Sequence, residues 1–123
     1  MTESTRVTEA LLLAAGMGTR LHPLTLDSPK ILTRVGGISI LERLVNNLRA
    51  QRIDRLVVVI GHMGGFIKNF LRKIAQDIQI EYIVNPDYRT TNNIYSLWLA
   101  RHQVKGPFLL LEGDLIFESL KLA

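Results

Sequence analysis

Apolar and polar positions alternate along this chain in blocks, and the blocks change period. Val7 to Ala14 is a near-continuous apolar run and predicts a buried strand. Ser39 to Arg52 switches to helical spacing, with Ile40, Leu41, Leu44, Val45 and Leu48 on one stripe. Ser39 suits the cap of that helix, and Glu42, three residues on, suits the partner position of a capping box. Leu56 to Ile60 is a pure Leu, Val and Ile run, the pattern of a strand covered on both faces, and Gly61 closes it. A second amphipathic stretch, from about Gly65 to Gln76, is expected to bury Phe66, Ile67, Phe70, Leu71 and Ile74, with Gly64-Gly65 shaping its entry. Ile78 to Val84 reads as a third strand, followed by an Asn85-Pro86-Asp87 turn. Asn93 to His102 reads as a third helix, with Trp98 expected in the core. Phe108 to Glu112 reads as a fourth strand, entered through Gly106-Pro107.

Strands alternating with helices predict an α/β fold with three layers, α/β/α, around a mostly parallel sheet. Such sheets take ligands at the carboxyl ends of their strands. The loop after the first strand, Asn85 after the third and Asp114 after the fourth are all assigned to that edge. Between the first strand and the first helix, residues 15–37 form a loop punctuated by Pro23, Pro29 and Gly36-Gly37. A loop of that length inside a small domain points to function.

Composition narrows the classes. The chain has 123 residues, 47% hydrophobic and 21% charged, which suits one domain with a real core. It has no cysteine, so disulfides and thiolate metal sites are excluded, and a reducing cytoplasm is the expected setting. Residues 1–6 lack the apolar core of a signal peptide, and no run reaches the ~18 apolar residues of a membrane span. The net charge of +4 comes from 15 basic and 11 acidic residues that are scattered, without aromatic interleaving. That pattern argues against nucleic acid and suits small anionic substrates. His22, His62 and His102 are not spaced as a metal site.

The long loop carries the densest chemistry. Residues 13 to 30 read Leu-Ala-Ala-Gly-Met-Gly-Thr-Arg-Leu-His-Pro-Leu-Thr-Leu-Asp-Ser-Pro-Lys. Gly16 and Gly18 allow a tight turn and close approach of a ligand to the backbone. Successive N–H groups in such a turn form an anion-binding hollow. Arg20 can fork onto phosphate oxygens, and Lys30 adds a point charge. This is neither the Rossmann fingerprint, since Arg20 and Leu21 stand where the third glycine is due, nor a Walker loop, since no Gly-Lys-Ser/Thr follows.

The whole string resembles the signature of the nucleotidyltransferases that join a nucleoside triphosphate to a phosphorylated small molecule. Its elements are Leu13 to Gly16, Gly18-Thr19-Arg20-Leu21, Pro23-Leu24-Thr25 and Pro29-Lys30. The resemblance implies a Rossmann-like sheet of the nucleotide-diphospho-sugar transferase type. It implies that Leu13, Ala14, Ala15, Gly16, Met17, Gly18 and Thr19 line the nucleotide, and that Arg20 and Lys30 are catalytic. A second segment, Asn93-Ile-Tyr-Ser96-Leu, offers two readings on its own: asparagines cap helices and form turns, and they also read base edges. It resembles the branch of the family that activates phosphocholine and related phospho-amino-alcohols or phosphonates. Sugar-nucleotide members usually carry Gly-Leu-Ala there. By that resemblance Asn85 and Asn93 meet the base, Ser96 lies nearby, and the nucleotide is CTP. Ile31 fits the same branch, because sugar-nucleotide enzymes commonly place a second proline after the lysine.

An acidic residue just past a buried strand needs a partner. The family resemblance makes Asp114 of Glu112-Gly-Asp the ligand of a magnesium ion, with Glu112 a weaker candidate. The implied partners are a nucleoside triphosphate and a phosphorylated small-molecule acceptor. Only nine residues follow Asp114. Residues 1–123 are therefore expected to be one nucleotidyltransferase domain cut to its N-terminal, nucleotide-binding part. Two alternatives stand beside the cytidylyl reading. One is a sugar-1-phosphate nucleotidyltransferase. The other is an inactive nucleotide-binding fragment whose open sheet edge is a route to a homo-oligomer.

Overall fold

Every apolar run of the sequence becomes a strand of one sheet. The computed structural model describes residues 7–15, 30–61, 64–86 and 93–112. In chain order its elements are β1 (Glu9–Ala14), a 3₁₀ turn (Lys30–Leu32), β2 (Arg34–Val35), β3 (Ile38–Ser39) and α1 (Ile40–Ala50). They continue with β4 (Arg55–Ile60), α2 (Gly64–Ile74), β5 (Gln79–Val84), α3 (Asn93–Leu99) and β6 (Phe108–Glu112). The sheet runs β5-β4-β1-β6, and all its pairs are parallel. Its register aligns Ala14 with Ile60 and Ile60 with Val84, and Leu13 with Glu112.

The strand order explains the cores. Alternate residues of β1 and β4 point to opposite faces. Ala10, Leu12, Leu56, Val58 and Ile60 meet Leu41, Leu44, Val45 and Leu48 of α1 and Ile67 and Leu71 of α2. Leu11, Leu13, Val57 and Val59 point the other way, to Ala100, Leu97 and Val104 in and after α3. The result is the expected three-layer arrangement.

Ser39 caps α1: its Oγ accepts the Glu42 N–H at 3.0 Å. The other end closes by the N–H of Ile53 reaching Leu48 O at 2.9 Å and the N–H of Arg52 reaching Arg49 O at 3.0 Å. That closure sets Arg52 in the left-handed region, at φ 61°. At the start of α2, a Cβ on Gly64 would stand 2.9 Å from Ile60 Cδ1 and 3.0 Å from its Cβ. The entry to α2 therefore needs a glycine at 64.

Four details depart from the sequence reading. Within the long loop, Arg34–Val35 and Ile38–Ser39 pair as a small antiparallel hairpin across Gly36 and Gly37. Both glycines have positive φ, 65° and 86°, as the tightest hairpin turns demand. Phe66 is 50% exposed, not buried. The stripe of α2 that faces the sheet runs through Ile67 and Leu71, four residues apart, and leaves Phe66 on its flank. The third helix stops at Leu99 instead of His102, and residues 100–103 are turns. Trp98 is not core either: it is 52% exposed, stacked on Tyr95 with ring centroids 5.9 Å apart. The inward face of α3 belongs to Ser96 and Ala100, and Trp98 lies about 200° round the helix from Ser96.

Candidate functional site

The order β5-β4-β1-β6 has one switch point. From β1 the chain moves through β4 to β5 on one side, then crosses to β6 on the other. The crevice at the carboxyl ends of β1 and β6 is where doubly wound sheets hold their ligands. Leu13 and Ala14 end β1, and Ala15, 4% exposed, leads out of it. Gly16, Met17, Gly18, Thr19 and Arg20 follow directly in the chain and lie outside the described residues, as does Asp114, two positions beyond the end of β6. The register pairs Leu13 with Glu112, so the strand that feeds the glycine loop and the strand that feeds Asp114 are immediate neighbours.

Lys30 opens the 3₁₀ turn at the far end of the same loop. Ile31 of that turn is buried in the core with α1, and the N–H of Ile40 reaches Thr33 O at 3.0 Å. The backbone at Lys30 is thus tied to the start of α1.

The other end of the edge is set by β5. The N–H of Asn85 reaches Ile60 O at 2.8 Å, which continues the β4–β5 pairing one residue past the strands. Its side chain turns inward: Asn85 is 1% exposed and Ser96 2%. Asn85 Nδ2 donates to Ser96 Oγ at 3.1 Å. Asn93, the first residue of α3, precedes Ser96 by one turn. The family resemblance pointed to Asn85, Asn93 and Ser96, and the fold brings Asn85 and Ser96 into contact. Asn85 and Ala15 leave strands two places apart in the sheet, a separation of about 9.5 Å.

The acidic and basic residues elsewhere do structural work. At the opposite, amino-terminal edge, Glu9 Oε1 accepts Arg55 Nη1 at 2.8 Å, and Glu9 Oε2 accepts the N–H groups of Lys105 and Gly106 at 2.8 and 3.1 Å. Arg55 also donates to Glu81 Oε1 at 2.6 Å and to Gln103 O at 2.8 Å. This brace joins three strands and the loop before β6, a role without a local sequence signature, since its partners lie up to 97 positions apart. A shallow cavity of about 350 Å³ lined by Arg49, Arg52, Ile53, Asp54, Asp77 and Ile78 lies near the same edge. Among the described residues no group of three or more His, Cys, Asp or Glu side chains could hold a metal ion. No helix among them is long and apolar enough to cross a membrane.

Residues 10–122 match the MobA-like NTP transferase domain. The CMP-5'-(3-aminopropyl)phosphonate synthase of Streptomyces rubellomurinus is 38% identical over 113 residues, 92% of this chain and 18% of that protein. The CTP:phosphocholine cytidylyltransferase of Streptococcus pneumoniae has a solved structure that superposes with a TM-score of 0.75 at 28% identity, covering 89% of this chain and 45% of that one. A UDP-glucose pyrophosphorylase complexed with UDP-glucose also superposes with a TM-score of 0.75, over 94% of this chain and 52% of that one, but at 15% identity it shares the fold alone. The chain spans about half or less of the length of each of these proteins. With a family match over nearly its whole length, the chain belongs to the MobA-like NTP transferase family.

Proposed function

We propose that this chain forms the nucleotide-binding part of a cytidylyltransferase, one that moves CMP from CTP to a phosphorylated or phosphonylated small molecule. One observation carries the reading: β1, which ends at Ala14, and β6, which ends at Glu112, are neighbours at the switch point of the sheet, and the buried Asn85–Ser96 pair follows β5 at the same carboxyl edge. The family match supports a nucleotide there, and the names of the phosphonate and phosphocholine relatives support CTP.

In the reaction, an oxygen of the acceptor phosphate or phosphonate attacks the α-phosphorus of CTP in line. A new P–O bond forms, the bond to the β-phosphate oxygen breaks, and pyrophosphate leaves. Such chemistry asks for positioning and charge neutralisation, with little covalent work from the protein. Backbone N–H groups from Gly16 to Thr19 would cradle the triphosphate, and Arg20 would neutralise the departing pyrophosphate. Lys30 would sit between the α-phosphate and the acceptor, where two anions meet. Asp114 would hold a magnesium ion, which supplies further positive charge at the α-phosphate. About 9.5 Å of sheet edge separates Ala15 from Asn85, a span suited to phosphates at one end and the base at the other.

The test is pyrophosphate release from CTP with magnesium and a panel of phosphorylated amino-alcohols, phosphonates and sugar 1-phosphates. The account expects turnover with an amino-alcohol phosphate or a phosphonate. It expects Lys30→Ala to lower the rate about 100-fold or more with an unchanged melting temperature, the scale of losing one preorganised charge at a reacting centre. Turnover in Lys30→Ala within a few-fold of the parent would remove Lys30 from the chemistry. Activity confined to sugar 1-phosphates with UTP or dTTP would replace the cytidylyl reading with the sugar-nucleotide one.

A further inference from the structure

Four polar or charged residues are buried among the described residues: Glu9, Ser39, Asn85 and Ser96. The fold accounts for two of them. Glu9 anchors the brace with Arg55, and Ser39 caps α1. Asn85 and Ser96 are joined by the Asn85 Nδ2 to Ser96 Oγ bond, beside an apolar core of Leu11, Leu13, Ala15, Val57, Val59 and Ala100. Packing alone does not call for such a pair. A buried amide–hydroxyl bond adds only about 1 kcal/mol net, and two apolar groups of the same shape would hold a helix to a sheet as well. What a hydrogen bond adds over apolar contact is direction.

We infer that Ser96 is a positioning residue for the base end of the nucleotide site, acting through Asn85. Asn85 is fixed at two points. Its N–H is bound to Ile60 O at the end of β4, and its Nδ2 to Ser96 Oγ on α3. With both held, the amide plane has one setting. The same bond sets the height of α3 against β5, and with it Asn93, one turn before Ser96. Asn85 and Ser96 are buried alike, at 1% and 2%, and the Ser96 hydroxyl acts on the site through its bond to Asn85. The inference rests on the reading of this edge as the nucleotide site, and it deepens that reading by separating the residue that orients from the residues that contact.

The separation has a measurable signature. The triphosphate is held at the switch point, two strands away, so loss of Ser96 should weaken binding of the base and spare binding of the phosphates. Calorimetric titration of the full chain with CTP and with inorganic tripolyphosphate, both with magnesium, reads the two apart. Ser96→Ala is expected to weaken CTP about 10-fold and to leave tripolyphosphate within 2-fold, while Ser96→Thr, which keeps the hydroxyl, binds CTP like the parent. Ser96→Cys fills the same space with a weak hydrogen-bonding group and reads the same split if Ser96→Ala does not fold. Unchanged CTP affinity in a folded Ser96→Ala or Ser96→Cys protein would overturn the inference while leaving the nucleotide reading intact. Equal losses for CTP and tripolyphosphate would also overturn it, because they mark a general structural role. A parent chain that binds neither compound would remove the nucleotide reading and this inference together.

Discussion

Asp77 and Glu9 are both carboxylates held by arginine, and they differ in what surrounds them. Glu9 is nearly buried, its side chain 8% exposed, and each of its oxygens accepts hydrogen bonds from groups fixed by the fold. Asp77 meets Arg49 in the open, through two contacts of 2.8 Å, with side chains 58% and 36% exposed. Arg49 also donates to Ile74 O, which ties the end of α1 to the end of α2. The Arg49 hydrogen bonds hold the Asp77 carboxyl below the usual carboxylate range. The native state therefore binds that proton more weakly than the unfolded chain, and the pair stabilises the fold once Asp77 is ionised. Its contribution is complete at neutral pH and is lost as pH falls through the depressed Asp77 value. Because the pair is exposed, salt screens it and its effect is small. Asp77→Asn should lower the melting temperature slightly at neutral pH and low salt. The difference from the parent should close in acid and in high salt, which a set of thermal melts across pH would show. A gap that persisted unchanged in acid would mean the ion pair is not its source.

At the scale of elements, the period of the apolar pattern carried most of the information. All four main strands and all three helices overlap the segments the pattern predicts, the third helix ending at Leu99, because β1 and β4 are covered on both faces and the helices bury stripes recurring near 3.6 positions. What the pattern could not convey was which flank of a helix meets the sheet. Phe66 and Trp98 are large and apolar, yet each sits one or two positions off the stripe that its neighbours bury. The hairpin at Arg34–Ser39 was hidden by its length, two residues a strand, although Gly36-Gly37 announced its turn. The end of α1 was hidden differently. Helices commonly close on a left-handed glycine, and here Arg52 holds that place, exposed, at φ 61°. An L side chain in that region costs about 1–2 kcal/mol, and glycine avoids the cost at some expense in unfolded-state entropy. Arg52→Gly should therefore raise the melting temperature by a few degrees. A fall would mean that the Arg52 side chain stabilises the fold by more than its backbone strains it.

For the whole molecule, chain order and strand order together make the site. Four strands in the order β5-β4-β1-β6 place the exits of β1 and β6 side by side and the exit of β5 two strands away. Nothing in the local sequence states that order. It was legible only as an α/β alternation around a mostly parallel sheet, and the order itself comes from the structure. The contact between Asn85 and Ser96 was likewise legible as two residue types near one edge, while their mutual burial depends on α3 lying across β1 and β4 on the second face. On the proposed function, this edge holds CTP. Equilibrium titration of the full chain with CTP, UTP and dTTP in the presence of magnesium tests it most directly. The account predicts saturable binding at one site per chain, tightest for CTP. Equal or tighter binding of UTP or dTTP, or no saturable binding of any of the three, would contradict it.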